Sequence, residues 1–292
     1  MPFDQLPTEY ALVRSTVRVL AGRAGQLPTS VGTGFFYKVI HPTAGIGKIL
    51  IVTNKHVVRD AEVIHFALSS ALSVSDLNEH RQPIGRQDHQ VTWGLNGNLY
   101  FHPDAETDLC AIDVTIPVGN VIQSGRQHRA MFLDSSWLPN QEDRASLRDI
   151  EQVLVIGYPQ GLWDQHNNMP IARTGTTATH PLAHYQGKRN FLVDVAAFQG
   201  SSGSPVFSFE SPMFRSRTGA FSPGTKVQFI GIVWGVVESN TEGELKVVEV
   251  PSSSKMVPTM TTSLNLAIAL HGEAIQDLDN LVFPGMHPRP AP

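Results

Sequence analysis

Cysteine is nearly missing from this chain: Cys110 is the only one in 292 residues. No internal disulfide can form, so stability has to come from a packed core. Secreted domains of this size often carry disulfides, so a reducing compartment is expected, the cytoplasm. Charge is also sparse. Charged residues make up 16% of the chain, the net charge is −4, and there is no basic block. Electrostatic binding of nucleic acid is therefore excluded. Long hydrophobic runs are absent too. The longest, at 49–52 and at 230–237 with its interrupting glycines, are far too short to span a bilayer. No membrane partner is expected. Residues 1–26 place Asp4 and Glu9 before the first arginine and have no basic stretch leading into an apolar one. No signal peptide is expected.

What is present points to strands. There are 24 glycines and 20 prolines, and 41% of residues are hydrophobic. That composition favours many short strands and turns over long helices. The length allows a core that removes most apolar surface from water. Apolar, alternating segments predict strands at 16–21, 31–39, 48–53, 61–67, 91–95 and 109–114. A helical turn can precede the first. Residues 69–90 are polar and helix-permissive, and look like an insertion. Residues 118–150 read as a connector with a short helix at 142–149. Further strands are expected at 152–157, 171–179, 190–197, 206–209, 227–237 and 245–250. Residues 264–278 read as a C-terminal helix. The domain expectation is one half at 12–130 and a second at 150–280.

The chemistry centres on Phe198-Gln199-Gly200-Ser201-Ser202-Gly203-Ser204-Pro205. A serine hydroxyl attacks a carbonyl only with a base to take its proton and N–H donors facing the developing oxyanion. Glycines on both sides of Ser202 permit the backbone such a loop needs. The plainer reading is an ordinary polar turn. His56 follows the apolar strand 48–53, so a rigid element would carry it, although any one of 12 histidines is more often structural. Asp108 enters the strand at 109–114. A carboxylate there could take a histidine Nδ1–H and fix its tautomer. Asp104 and Asp113 compete for that role, and a solvated turn acid is the plainer reading. Cys110 reads as a buried, inert thiol. His180 and His184 lie four apart, but Pro181 intervenes and no third ligand is evident, so no metal is expected. No cofactor is implied.

The order His56, Asp108, Ser202, with separations of 52 and 94 residues, meets a known family. The chain resembles the trypsin-like (chymotrypsin-fold) serine peptidases, nearest the intracellular bacterial and HtrA-type branch. The resemblance rests on Gly32-Thr33-Gly34-Phe35-Phe36, Val52-Thr53-Asn54-Lys55-His56-Val57-Val58, Asp108-Leu109-Cys110-Ala111-Ile112, Ile156-Gly157-Tyr158-Pro159, Asp194 with Ala196, Gly200-Ser201-Ser202-Gly203-Ser204-Pro205 and Gly231-Ile232-Val233-Trp234-Gly235. It implies an all-β fold of two six-stranded β-barrels with a short C-terminal helix. It implies a serine endopeptidase with Ser202 as nucleophile, His56 as base and Asp108 as its orienter. It also implies an oxyanion hole from the N–H groups of Gly200 and Ser202. The substrate pocket would be lined by Ala196, Ala197, Val233, Trp234 and Gly235.

Three departures from the family pattern carry expectations. Ser201 stands where secreted members have an aspartate that pairs with a newly cut N-terminus, so no such activation is expected. Ala196 at the pocket base, rather than an acid, predicts small or medium apolar residues before the cut; Asp194 would upset this if it reached the pocket. Only 22 residues follow Leu270, so an HtrA-type PDZ domain is not expected. Expected partners are a protein or peptide substrate and an activating or targeting protein, with 69–90 as one place for the latter to bind. The alternative function is a latent or inactive protease-fold binding module switched or recruited by a partner. An α/β-hydrolase is excluded by residue order and by the absence of a strand–elbow–helix around Ser202.

Overall fold

β-Branched and aromatic residues in alternation build the first half of the chain. A computed structural model describes residues 8–71, 73, 75, 88–215, 219–239, 245–249 and 262–286. A helix, α1 (Thr8–Ser15), leads into β1 (Thr16–Gly22), β2 (Ser30–Ile40), β3 (Gly47–Thr53), β4 (Val63–Ala71), β5 (Asp88–Gly94), β6 (Leu99–Phe101) and β7 (Cys110–Asp113). Then come α2 (Thr115–Gln123) and β8 (Gln127–His128). The antiparallel order is β5-β4-β1-β2-β3-β7-β6, with β8 on β4. The sheet curls as a half-barrel around Val19, Phe36, Ile51, Ile64, Phe66 and Ile112.

The second half closes completely. After α3 (Gln141–Ser146) come β9 (Gln152–Gly157), β10 (Ile171–Thr177), β11 (Asn190–Asp194), β12 (Pro205–Glu210), β13 (Met213–Arg215), β14 (Phe221–Pro223), β15 (Lys226–Ser239), β16 (Leu245–Glu249), β17 (Thr262–His271) and α4 (Ala274–Val282). The order β12-β9-β10-β11-β17-β15 returns to β12 through a β12–β15 pairing, which makes a six-stranded barrel. Closure leaves none of these six strands an unpaired edge. Strand β16 adds to β15, and β13 and β14 form a separate hairpin. The fold is all-β and chymotrypsin-like, with a short C-terminal helix.

A third cluster joins the halves. Phe35 from β2 packs on Phe229 from β15 at 5.3 Å between ring centroids, and Phe229 meets Phe207 from β12 at 5.9 Å. The apolar face of α4, Ile275, Leu278 and Val282, seals this cluster. The spacing of three and four residues puts those side chains on one stripe. Polar ties reinforce the seal: Tyr37 Oη donates to Asp279 Oδ2 at 3.1 Å, and Asp277 accepts from His102 and Arg189 at 3.0 and 2.8 Å.

Two expectations need correction, and one lies largely beyond view. Residues 264–271 are not helical: they belong to β17, and the helix is confined to Ala274–Val282. The alternation Leu264, Leu266, Ile268, Leu270 has period two, and β17 is hydrogen-bonded on both sides by β11 and β15. Long-range pairing thus outweighs the helix propensity of Leu and Ala. Part of the presumed connector is the helix α2, whose Val118 and Val121 are buried in the first cluster. Within 69–90, the two ends extend β4 and β5, with Ser69 opposite Asp88; residues 72, 74 and 76–87 lie outside the described residues.

The barrel also contains a pH-sensitive residue. His271 at the end of β17 stacks near His184 and Phe191, with ring centroids 5.3 and 5.8 Å away. Burial, and then the neighbouring His184, push its pKa down to about 4. An unfolded histidine titrates near ~6.5. Between those values the unfolded chain binds more protons, so stability falls as pH drops from about 6.5 toward 4. Replacement of His271 by Gln is expected to flatten that slope in urea unfolding curves measured from pH 7.5 to 4.5.

Candidate active site

Strand pairing closes the gap between His56 and Asp108. Thr53 on β3 pairs with Cys110 on β7. The chains run antiparallel, so the residues just after Thr53 and just before Cys110 emerge at the same end. His56 sits in the 3₁₀ turn Lys55–Val57 that follows β3. Asp108 Oδ1 accepts from His56 N at 3.1 Å, and its Oδ2 takes the His56 Nδ1 side. Asn54 Nδ2 donates to the Asp108 carbonyl at 2.6 Å and fixes the loop's backbone. With the carboxylate on Nδ1–H, the imidazole presents a lone pair at Nε2. Ser202 Oγ lies 2.9 Å from that nitrogen. The three expected residues are therefore in line, two from the first sheet and one from the loop before β12. Asp113 is engaged elsewhere, with Lys48 and Thr115. Asp104 is also taken, accepting from Thr107 and Glu106.

The serine loop is fixed by backbone geometry. Gly200 and Gly203 have φ of +84° and +85°, a region that costs other residues strain. A Cβ at Gly200 would collide with the Tyr158 carbonyl, and one at Gly203 with the Thr33 carbonyl. Gly203 N donates to Val233 O at 2.8 Å, and Val233 N returns a bond to Ser204 O at 2.9 Å. The Gln199 carbonyl accepts from Gln160 N. The Gln199–Gly200 peptide is trans, so the Gly200 N–H points away from Gln160. Ser202 and Ser201 are fully buried, and His56 is 6% exposed.

The residues expected to line a pocket differ in setting. Ala197 and Val233 are buried in the second barrel's cluster, whereas Ala196 is half-buried. Trp234 is half-buried, with Nε1 donating to Asn190 Oδ1 at 3.2 Å, and Gly235 pairs with Ile268 on β17. Asp194 is exposed between the buried Val193 and Val195, so its carboxylate lies on the barrel's outer face. Cys110 is buried, and burial pushes its thiol pKa up. His180 and His184 form no ligand group; among the described residues there is no cluster of three or more His, Cys, Asp or Glu.

Residues 32–211, well over half of the chain, match the trypsin-like peptidase domain family. The chain belongs to the trypsin-like peptidase family. Solved structures similar to it include the MamO protease domain from Magnetospirillum magneticum in its apo form. That structure is 12% identical, with a TM-score of 0.40, covering 83% of this chain and 94% of that one. A structure of GrC is 12% identical, with a TM-score of 0.48, over 94% of this chain and 95% of that one. A structure of HBP is 11% identical, with a TM-score of 0.44, over 96% of this chain and 95% of that one. No curated protein sequence matches.

Two residues at the site had no assigned role from sequence. Thr33 is a junction: its Oγ1 donates to Gly200 O at 2.8 Å and accepts from Tyr158 N at 3.0 Å, while its N–H donates to Ser202 O at 2.8 Å. Its place between two glycines, where only a hydroxyl side chain interrupts a bare backbone, was the available signal. Arg173, on β10, donates from Nη2 to Ser201 Oγ at 2.9 Å. Ser201 Oγ also accepts from Phe198 N at 3.2 Å. A lone arginine in a strand of small and hydroxyl residues was a weak signal that only the fold interprets.

Thr33→Val keeps the shape and removes the hydroxyl, leaving a buried carbonyl and a buried N–H without partners. A loss of about 2 kcal/mol is expected, measured by denaturant unfolding at neutral pH.

Proposed function

We propose that the protein is a serine endopeptidase acting on protein or peptide substrates through an acyl-enzyme. The observation that carries this reading is His56 bridging Asp108 and Ser202. Ser202 Oγ attacks the scissile carbonyl carbon while His56 Nε2 takes its proton. Asp108 holds the imidazole tautomer and favours the imidazolium. The oxyanion is received by the N–H groups of Gly200 and Ser202. His56 then returns the proton to the leaving amine, and water repeats the sequence on the acyl-enzyme.

Activity without N-terminal processing is part of this reading. Ser201 has no carboxylate to offer a new ammonium, and Arg173 and Phe198 already occupy its hydroxyl. The lone cysteine, with its buried thiol, is the support for a cytoplasmic location. The nearest branch remains, on the Ser201 departure, the intracellular bacterial one. A second reading has its own observation. Ser202 is fully buried. A latent enzyme or a binding module opened by a protein partner fits that burial.

Labelling of the unprocessed full chain by a fluorophosphonate decides between them. Covalent labelling is expected, with its loss in Ser202→Ala and His56→Ala. In peptide turnover, Ser202→Ala is expected to lower kcat about 10⁶-fold and Asp108→Asn about 10⁴-fold. A folded wild-type chain that takes no label supports the binding module or the latent form. Labelling that appears only on adding a protein partner selects the latent form.

Specificity provides a separate check. Ala196 and Gly235 leave the expected pocket without a charged wall, and Asp194 faces outward. Cleavage profiles over a peptide library are expected to favour small or medium apolar residues before the cut. A profile dominated by Lys or Arg overturns that pocket assignment.

A further inference from the structure

A charged side chain reaches the serine loop from the barrel wall. Arg173 sits on β10 opposite Val155 of β9, so its backbone is fixed in the ladder. The residue is half-buried. Its Nε and Nη1 are shut off from solvent and meet no acceptor among the described residues. Nη2 is engaged, donating to Ser201 Oγ at 2.9 Å. Burial pushes the guanidinium pKa down, and no carboxylate among the described residues offsets it. A cation kept from water with one neutral acceptor costs stability. Folding by itself would favour an apolar side chain at this position.

The group that Arg173 holds closes a four-residue turn. Ser201 N donates to the Phe198 carbonyl at 2.9 Å, and Ser201 Oγ accepts from Phe198 N at 3.2 Å. The Gln199–Gly200 peptide lies inside that turn, and Ser202 follows it directly. Glycine at 200 leaves this backbone a wide choice of orientations, so the turn has to be fixed from outside. Gln160 N holds the Gln199 carbonyl, and Thr33 Oγ1 holds the Gly200 carbonyl. Arg173 holds a third point, the Ser201 side chain. A hydrogen bond from an ionised donor is about twice as strong as one between neutral groups.

We propose that Arg173 is a positioning residue for the peptidase reaction. Acting through Ser201, it holds the 198–201 turn so that the Gly200 N–H faces the oxyanion formed when Ser202 attacks. This rests on the peptidase reading above. The arrangement sets catalysis against stability. Removing the cation relieves its desolvation but loosens the turn that carries the oxyanion donor.

Arg173→Met in the full chain tests this by thermal unfolding, peptide turnover and amide hydrogen exchange. The unfolding midpoint is expected to equal or exceed that of the wild type. The kcat is expected to fall roughly 10²-fold while KM stays within about twofold. Amides at 198–204 are expected to exchange faster, with the rest of the chain unchanged. In a Ser201→Ala background the contact is already gone, so adding Arg173→Met is expected to lower kcat by no more than about twofold further. A variant that unfolds, or melts lower than the wild type, overturns the proposal, because Arg173 is then a structural residue. An unchanged kcat in a folded variant also overturns it, as do losses that multiply in the double variant. A wild type without turnover defeats the peptidase reading instead. Faster exchange at 198–204 in Arg173→Met then still supports the hold on the turn, and unchanged exchange overturns it.

Discussion

A single buried hydroxyl ties the two sheets together where the serine loop lies. Thr33 stands on β2, yet its polar groups reach Gly200, Ser202 and Tyr158, all in the other half. Thr53 Oγ1 in turn donates to the Thr33 carbonyl at 2.7 Å. Every one of these groups is shielded from water, so each needs its partner. The hydrogen bond between His56 and Ser202 depends on this junction. His56 rides on β3 beside β2, and Ser202 rides on a loop that β2 holds by its backbone. A slip of the two sheets by one residue would separate them.

The C-terminal helix acts on the same geometry from the other side. Asp277 accepts from His102 Nε2, and His102 Nδ1 accepts from the Asp104 N–H at 3.2 Å. These two bonds fix the His102 tautomer and anchor the loop that runs through Asp104 and Thr107 to Asp108. Arg189, next to β11, completes the tie on Asp277. One carboxylate therefore connects the helix, the barrel and the loop that carries the acid partner of His56. The hydrogen bond from His102, with Arg189, holds Asp277 below the usual carboxylate range, so the tie is charged at neutral pH.

Much of this was legible in the residues. The order of His56, Asp108 and Ser202, each beside its own apolar strand, pointed to their meeting. The apolar runs at 48–53 and 227–237 marked strands. What sequence could not reveal was contact across long separations. Thr33 and Gly200 lie 167 residues apart, and nothing local to either names the other. Arg173 meets Ser201, 28 residues away in sequence, only because β10 brings it there. The misreading at 264–271 has a different cause. Leu and Ala favour helix locally, and pairing on both sides with β11 and β15 selects the strand. The helix α2 was hidden by Pro117 and Gly119, residues that usually argue against a helix interior.

The barrel closes through β17, and β17 comes after Ser202 in sequence. A growing chain that ends before residue 262 contains His56, Asp108 and Ser202 but has a barrel with two open edges. It also lacks the helix that anchors the Asp108 loop. The order of synthesis thus separates possession of these residues from their assembly.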